Sequence, residues 1–322
     1  MTDSAAAAAP PTPPPSKLAL LVAYATLYVI LGSTYLAIRI GVATWPPLLF
    51  ASVRFAIAGV GLYLVLRARG APAPEWRAWA AAGVAGGLML GGGIGTVCWA
   101  QQWVPSGEAA LILAMGPLWT VVLPWIARRA PAPRPLVAVG VAVGLAGVGV
   151  LIGGGGGVAV AGDGRALMAG RLALIGASLS WCVGSLISHR LPLPRSVALA
   201  AAMQMVVASP LLAIAAAAHG DFDGFHFAAI TPGGWAALAY LVVFGSLAGF
   251  GSYLYLLKHE GPTRSSTSAF VNPVVAVALG AALAGEVIGP RTVAAAAMII
   301  AAVAAVILGS VRRRPGQPGQ PG

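Results

Sequence analysis

Long apolar stretches alternate along the chain with short breaks that carry proline, glycine or charged residues. An α-helix needs about 20 predominantly apolar residues to cross the hydrocarbon core of a bilayer. Ten stretches reach that length, so the pattern predicts an all-α membrane protein with ten transmembrane helices. They cover residues 18–38, 46–66, 77–99, 106–126, 135–152, 170–189, 196–217, 235–257, 263–284 and 291–310.

The composition agrees with a membrane protein and excludes a soluble enzyme. The chain is 59% hydrophobic and 8% charged, whereas about a quarter of the residues in soluble domains are charged. The 19 lysines and arginines are spread singly, without the basic stripe of a nucleic-acid-binding protein. Cys98 and Cys182 lie inside apolar stretches and lack the spacing of a disulfide framework or a metal site. We therefore expect no cofactor, no metal and no nucleic-acid partner.

The distribution of positive charge predicts the orientation, because cytoplasmic loops carry the excess of Lys and Arg. With the N-terminus inside, fourteen positive residues fall on the cytoplasmic side, four fall outside, and Arg54 stays within a span. Both termini are then cytoplasmic, which requires an even number of spans. The four outer residues are Arg39, Arg165, Arg171 and Arg291.

The ends and the middle of the chain predict its division. Residues 1–17 hold a proline cluster and no basic segment, which indicates a disordered cytoplasmic leader rather than a signal peptide. We expect a first repeat of five spans at 18–152, a periplasmic linker at 153–169 and a second repeat of five spans at 170–310. The basic residues 311–322 are predicted to form a disordered cytoplasmic tail.

An internal duplication supports the two repeats. Five spans is an odd number, so the second repeat would lie upside down relative to the first, around a central cavity, as in many secondary transporters. The high Ala and Gly content allows chance alignment as an alternative. A shift of 156 positions pairs Trp79 with Trp235, Gly95 with Gly251 and Pro117 with Pro273, and a shift of 150 positions pairs Arg54 with Gln204.

Five motifs in combination resemble the EamA family of the drug/metabolite transporter superfamily, and within it the YedA-type exporters. They are LGSTYLAIR at 31–39, FASVRFAIAG at 50–59, WAQQWVPSGEAALI at 99–112, GSLISHRLPLP at 184–194 and AFVNPVVAVALGAALAGE at 269–286. The resemblance implies a ten-helix exporter of small metabolites that works by alternating access in the bacterial inner membrane. It also implies a carboxylate at position 101 and an aliphatic residue at position 108, where this chain has Gln101 and Glu108.

Polar groups near the middle of a membrane are costly and mark a transport pathway by default. Counting along the spans places Arg54, Trp119, Trp181, Gln204 and Asn272 near that depth. Arg54 has two interpretations. It binds a substrate carboxylate bidentately, or it clamps backbone carbonyls of neighbouring helices.

Two prolines and two glutamates add further candidates. Pro117 and Pro273 each remove a helical hydrogen bond near midspan and expose carbonyls to a cavity, or they only kink helices for packing. Glu108 is the candidate for proton coupling, since burial beside a cavity raises the pKa of a carboxyl group; it is otherwise a solvated residue in the first turn of span four. Glu286, at a span edge, is predicted to bond to a helix end.

Hydroxyl and aromatic groups complete the predicted substrate site. Ser33, Thr34, Tyr35 and Tyr253, with Trp181, suit an amphiphilic substrate, although membrane Trp and Tyr more often belong to the core or the interfacial belt. Gln101 is placed near the exit, at the outer end of span three.

The sequence therefore predicts a secondary-active exporter of small amphiphilic metabolites, such as amino acids or drug-like compounds. Its partners are the substrate, the lipid bilayer and protons, the proton coupling being implied by the family; it acts as a monomer or a homodimer. An uncoupled facilitative carrier is the first alternative. A non-transporting scaffold or a membrane enzyme is the second, although the four histidines fall on both sides of the membrane in no cluster.

Overall fold

The computed structural model describes residues 16–153, 164–265 and 268–311, and the regular structure in these ranges is helical. Most of the predicted leader and tail, and residues 154–163 of the predicted linker, lie outside the described residues. The α-helices are α1 (Lys17–Gly41), α2 (Pro47–Ala68), α3 (Trp76–Gly86), α4 (Thr96–Ala100), α5 (Ser106–Leu113), α6 (Gly116–Ile126), α7 (Pro135–Ile152), α8 (Gly164–Ser188), α9 (Val197–His219), α10 (Pro232–Tyr240), α11 (Gly251–Ser265), α12 (Ser268–Ala284) and α13 (Pro290–Val311). Gly87–Gly95 and Leu241–Phe250 are π-helical and join α3 to α4 and α10 to α11; Phe227–Ala229 forms a 3₁₀ turn.

Nine helical segments in the described part of the chain are long and apolar enough to cross a membrane. Three of them combine shorter elements, namely Trp76–Ala100, Ser106–Ile126 and Pro232–Gly261. The predicted span 263–284 corresponds to α12, whose 17 residues extend about 26 Å, short of the roughly 30 Å of a hydrocarbon core. Ten membrane-spanning helices therefore remain a prediction.

Two predicted boundaries shift in the structure. α8 begins at Gly164, so residues 164–169 of the predicted linker are helical. The predicted span 106–126 breaks between α5 and α6, and Pro117 lies in the first turn of α6. A proline there removes no helical hydrogen bond, because the first N–H groups of a helix have no intrahelical acceptor. Pro117 therefore lies at a break between two helices rather than inside one, whereas Pro273 lies inside α12.

Helices that correspond in the two halves contact each other in matching pairs. The second helices of the halves, α2 and α9, pack on each other, and so do the last helices, α7 and α13. The first helix of each half packs on the fourth span of the other half, α1 on α12 and α8 on α5 and α6. Glycines bring these helices close together. A Cβ atom at Gly59 of α2 would lie 2.7 Å from Met205 Cβ and 2.8 Å from the backbone N of Val206, both on α9.

The two π-helical segments occupy corresponding positions of the halves and flank the centre of the molecule. α8 packs on the first segment and α1 on the second. Ser180 Oγ of α8 donates to the carbonyl of Leu88 at 2.8 Å, and a Cβ atom at Gly92 would lie 2.4 Å from that hydroxyl. π-helical turns are rare and occur frequently at functional sites. Because the two segments occupy corresponding positions, the space between them is a candidate functional site.

Candidate functional site

A central cavity of about 1150 Å³, including its open part, lies between the two halves. Its wall combines α1, α2, both π-helical segments, α4, α5, α6, α8, α11 and α12. The wall is mainly apolar, with a limited number of polar and aromatic side chains, as in most small-molecule sites. Those side chains are Thr34, Tyr35, Arg54, Phe55, Thr120, Ser178, Trp181, Cys182, Ser185, Phe250, Tyr253, Ser268 and Asn272.

The structure brings together part of the predicted site and separates the rest. The predicted residues in the wall of the cavity are Thr34, Tyr35, Arg54, Trp181, Tyr253 and Asn272, with the prolines Pro117 and Pro273. The described wall does not include Ser33, Gln101, Glu108, Trp119 or Gln204.

Arg54 is 4% exposed although its guanidinium lies in the cavity wall. Its Nε donates to Ser246 Oγ at 2.8 Å, and its Cζ lies 5.0 Å from the centre of the Phe55 ring. Its Nη1 is buried without a hydrogen-bond partner among the described residues. A Cβ atom at Gly245 would lie 2.7 Å from Nη2, so the glycine of the second π-helical segment provides space for the charge.

Three aromatic side chains form one side of the cavity. The Trp181 ring lies 5.1 Å from the Tyr253 ring and 6.1 Å from the Phe250 ring, between ring centres. The Tyr253 hydroxyl and Ser185 Oγ are 2.9 Å apart and share a hydrogen bond, which fixes the orientation of the phenol. The result is a rigid apolar surface in the same cavity as Arg54.

Asn272 connects α12 to α1 at the cavity wall. With its amide oriented to satisfy its surroundings, Nδ2 donates to the carbonyls of Tyr28 at 3.2 Å and Ser268 at 3.3 Å. The next residue, Pro273, has no N–H to donate to the carbonyl of Ala269, which also lies in the wall. The Ala269 carbonyl therefore lacks its usual intrahelical donor.

Ser33 and Gln101 stabilise helix contacts outside the wall. Ser33 Oγ and the Tyr240 hydroxyl are 2.6 Å apart, joining α1 to α10. Gln101 is fully buried, and its Nε2 donates to the carbonyl of Tyr35 at 3.1 Å. The amide at position 101 thus holds the turn after α4 against α1.

Gln204 and Trp119 are buried polar side chains without partners among the described residues. Both amide atoms of Gln204 and the indole Nε1 of Trp119 lack a hydrogen bond. A buried polar group left without a hydrogen bond costs roughly 1–3 kcal/mol.

Glu108 is part of a buried ion pair. Its Oε1 accepts from Arg171 Nε at 2.5 Å and its Oε2 from Arg171 Nη2 at 3.2 Å, and both side chains are less than a tenth exposed. The alternative interpretation of Glu108 as a solvated residue is therefore wrong. Arg171 lies in α8, within the predicted span 170–189, and is buried. The pair connects the two halves of the chain.

Asp221 makes a contact that the sequence did not predict. It follows the C-terminus of α9, and its Oδ2 accepts from the backbone N–H groups of Leu48 at 2.8 Å and Leu49 at 3.0 Å, at the N-terminus of α2. Its Oδ1 bonds to His219 Nδ1 at 2.6 Å, and His219 Nε2 accepts from Trp99 Nε1 at 3.0 Å. The sequence signal for this contact is that α2 starts with two prolines and has no capping side chain of its own, so its first N–H groups need an acceptor from elsewhere.

Glu286 makes the helix-end contact expected from its position. Its Oε1 accepts from Ser106 N at 2.7 Å and Ser106 Oγ at 2.8 Å, and its Oε2 from Gly107 N at 3.1 Å. These are the first residues of α5, whose orphan N–H groups and dipole favour an anion. A carboxylate from the second half therefore caps a helix of the first half.

Replacing Glu286 with alanine is expected to lower the free energy of unfolding by about 2–3 kcal/mol, since hydrogen bonds to a charged group are lost at a buried helix end. Thermal unfolding of the purified variant in detergent measures the change. Glu75→Ala is the matched control, because Glu75 is exposed at the N-terminus of α3 and makes no capping bond. Equal stability of the two variants would contradict the capping role.

A known protein family matches both halves of the chain. The EamA-like transporter family matches residues 17–153 and, a second time, residues 168–308. The chain belongs to the EamA-like transporter family. This confirms the resemblance inferred from the five motifs, and the two EamA copies agree with the duplicated arrangement of the helices. As a member of the EamA family, the protein is a multi-pass membrane transporter.

Curated relatives and a solved structure extend the match over most of the chain. The chain is 39% identical over 289 residues to the uncharacterized inner membrane transporter YedA of Escherichia coli strain K12, covering 89% of this chain and 90% of the relative. The YedA proteins of Escherichia coli O6:H1 and O157:H7 match to the same extent. A crystal structure superposes with a TM-score of 0.63 at 21% identity, over 93% of this chain and all of the other. At that identity it supports the fold alone.

Proposed function

We propose that this EamA transporter is a secondary-active exporter of small amphiphilic metabolites, amino acids or drug-like compounds, that works by alternating access. The observation that carries the proposal is the cavity between the two halves, whose wall contains a buried arginine and three aromatic side chains that contact each other. Transport sites of repeat-built transporters lie at such interfaces. The membrane is the bacterial inner membrane, as named for YedA.

We propose further that ten helices form two inverted repeats, at 18–152 and 170–310, joined by a periplasmic linker at 153–169. The termini, 1–17 and 311–322, would be cytoplasmic. The matching contacts of corresponding helices support this arrangement, as do the π-helical segments at corresponding positions. In this orientation α12 crosses the membrane with local thinning of the bilayer, which short spans tolerate at modest cost.

The described contacts between the halves that involve a carboxylate lie at one end of the proposed bundle. In the proposed orientation this is the outer end, where Glu108 pairs with Arg171, and Glu286 and Asp221 cap helices of the first half. The arrangement favours a cavity closed to the outside and ready to receive a cytoplasmic substrate.

The proton gradient is the proposed driving force, with Glu108 as the coupling residue. To take up a proton, the carboxylate would have to leave Arg171, and that would release one contact between the halves. An uncoupled facilitative carrier is the second candidate, because the described cavity wall contains no carboxylate.

Counterflow in proteoliposomes tests the transport function, and an imposed pH gradient tests the coupling. We expect uptake of labelled substrate into vesicles preloaded with unlabelled substrate, and accumulation that increases when a pH gradient is imposed. The Glu108→Gln variant should retain counterflow and lose the response to the gradient. Accumulation that ignores the gradient in the parent protein would favour the uncoupled carrier, and no counterflow across a broad panel of metabolites would contradict transport.

A further inference from the structure

The geometry points to a substrate class: the cavity selects small organic monocarboxylates with an apolar body, and disfavours cations and zwitterions. This inference rests on the proposed transport function and narrows its substrates from amino acids and drug-like compounds to monocarboxylates. The carboxylate binds to the guanidinium of Arg54, and the apolar body lies against the aromatic side formed by Trp181, Phe250 and Tyr253.

Arg54 holds more donors than the protein uses. A guanidinium has five N–H donors, and Arg54 uses one of them in a hydrogen bond among the described residues, from Nε to Ser246 Oγ. Nη1 is buried and has no partner among the described residues. Removing an arginine from water without pairing it is expensive. A ligand anion would supply the missing acceptors.

The alternative role of Arg54, as a clamp on backbone carbonyls, has no support in the described contacts. Its one bonded partner is a side-chain hydroxyl. That hydrogen bond orients the guanidinium through Nε and uses neither of the terminal nitrogens, Nη1 and Nη2. Gly245 lies against Nη2, where a side chain would displace it. A fixed, planar fork of this kind matches the two oxygens of a carboxylate.

The rest of the wall explains the discrimination against positive charge. Among the described residues that line the cavity, Arg54 is the one that carries a formal charge, and no carboxylate faces it. An ammonium group would therefore enter a low-dielectric space that already holds a positive charge, with no counter-ion. A zwitterionic amino acid bears this cost through its ammonium group, although its carboxylate can bind Arg54. An amine bears the same cost and has no carboxylate to bind Arg54.

Matched pairs of probes test the inference by direct binding to the purified protein. The pairs are phenylacetate with phenylacetamide, indole-3-acetate with indole-3-acetamide, and hexanoate with hexanamide. Phenylalanine and phenethylamine add the zwitterion and the cation. Isothermal titration calorimetry gives the Kd of each probe. We expect the carboxylates to bind about 10- to 100-fold more tightly than their amides, as charge-assisted hydrogen bonds imply, and the amine to bind least.

Variants assign the preference to Arg54. Arg54→Gln should abolish the difference between carboxylate and amide, and Arg54→Lys should restore part of it by charge alone. Arg291→Gln is the control, because it removes the same charge at an exposed position outside the cavity. If Arg54→Gln does not fold, the comparison of probes on the parent protein still decides, together with Gly245→Ala, which should weaken carboxylate binding by displacing the guanidinium.

The outcomes separate the substrate class from the transport function. Equal binding of carboxylate and amide in all three pairs, or tighter binding of phenethylamine, overturns the anion selectivity while leaving transport intact. A carboxylate preference that persists unchanged in Arg54→Gln also overturns it. Selective carboxylate binding without counterflow of the bound probe supports the selectivity and contradicts transport.

Discussion

Replacing Glu108 with alanine is expected to lower the free energy of unfolding by about 3–5 kcal/mol, because it leaves the Arg171 guanidinium buried without its counter-ion. Both partners are less than a tenth exposed, so solvent screens the remaining charge poorly. The loss should appear in SDS titration of the purified protein and as a lower yield in the membrane. The loss of stability arises from the unpaired positive charge of Arg171 that remains buried, and it does not measure the net stabilisation by the ion pair.

A double replacement separates these two contributions. Glu108→Gln with Arg171→Met removes both charges, and we expect it to be clearly more stable than Glu108→Ala alone, since no buried charge remains unpaired. Arg264→Ala, which breaks an exposed pair on α11, should change stability little. Glu108→Ala with parental stability would show that the pair is open to solvent in the membrane.

Replacing Gly59 with valine is expected to disrupt the packing of α2 on α9 and to leave little folded protein. The added Cβ atom would lie 2.7 Å from Met205 Cβ and 2.8 Å from the backbone N of Val206. Backbone atoms cannot give way as a flexible side chain does, so the helices must separate along their contact. Overpacking of this kind typically lowers the free energy of unfolding by about 1–3 kcal/mol and occasionally more. Because the added side chain clashes with backbone atoms, we expect a loss at the upper end of that range.

Gly61→Val provides the matched control two residues further along α2. Gly61 is exposed, and a Cβ atom added there would meet no neighbouring atom within 4 Å, so the same change should leave folding intact. Size-exclusion profiles of the two variants in detergent measure the fraction of monodisperse protein. Similar profiles would contradict the close approach of α2 and α9.

The sequence predicted the helical spans and the family well, because both depend on features that are local in the chain. Hydrophobic length determines which segments enter the bilayer. It does not determine how a segment is divided internally. The break before Pro117 depends on where the helix N-terminus lies, and counting apolar residues carries no information about that.

The candidate site was predicted less completely. Polarity at membrane depth selected Arg54 and Asn272, which the structure places in the cavity wall. The same argument also selected Gln204, which points elsewhere, because depth along a helix does not specify the direction around its axis. The Glu108–Arg171 pair joins residues 63 positions apart, and their proximity follows from the packing of α5 on α8 rather than from any local pattern.

The correspondence of Arg54 with Gln204 has a consequence for stoichiometry. The two positions are equivalent in the duplicated halves, yet the first is a cation bonded to Ser246 and the second is a neutral amide with no bonded partner among the described residues. The shift of 156 positions that relates the third spans places Leu90 where Ser246 stands, so the first half offers no hydroxyl at that position to orient a ligand-binding group. Binding should therefore saturate at one carboxylate per chain, and the ligand should stay with α2 while the second half changes its position.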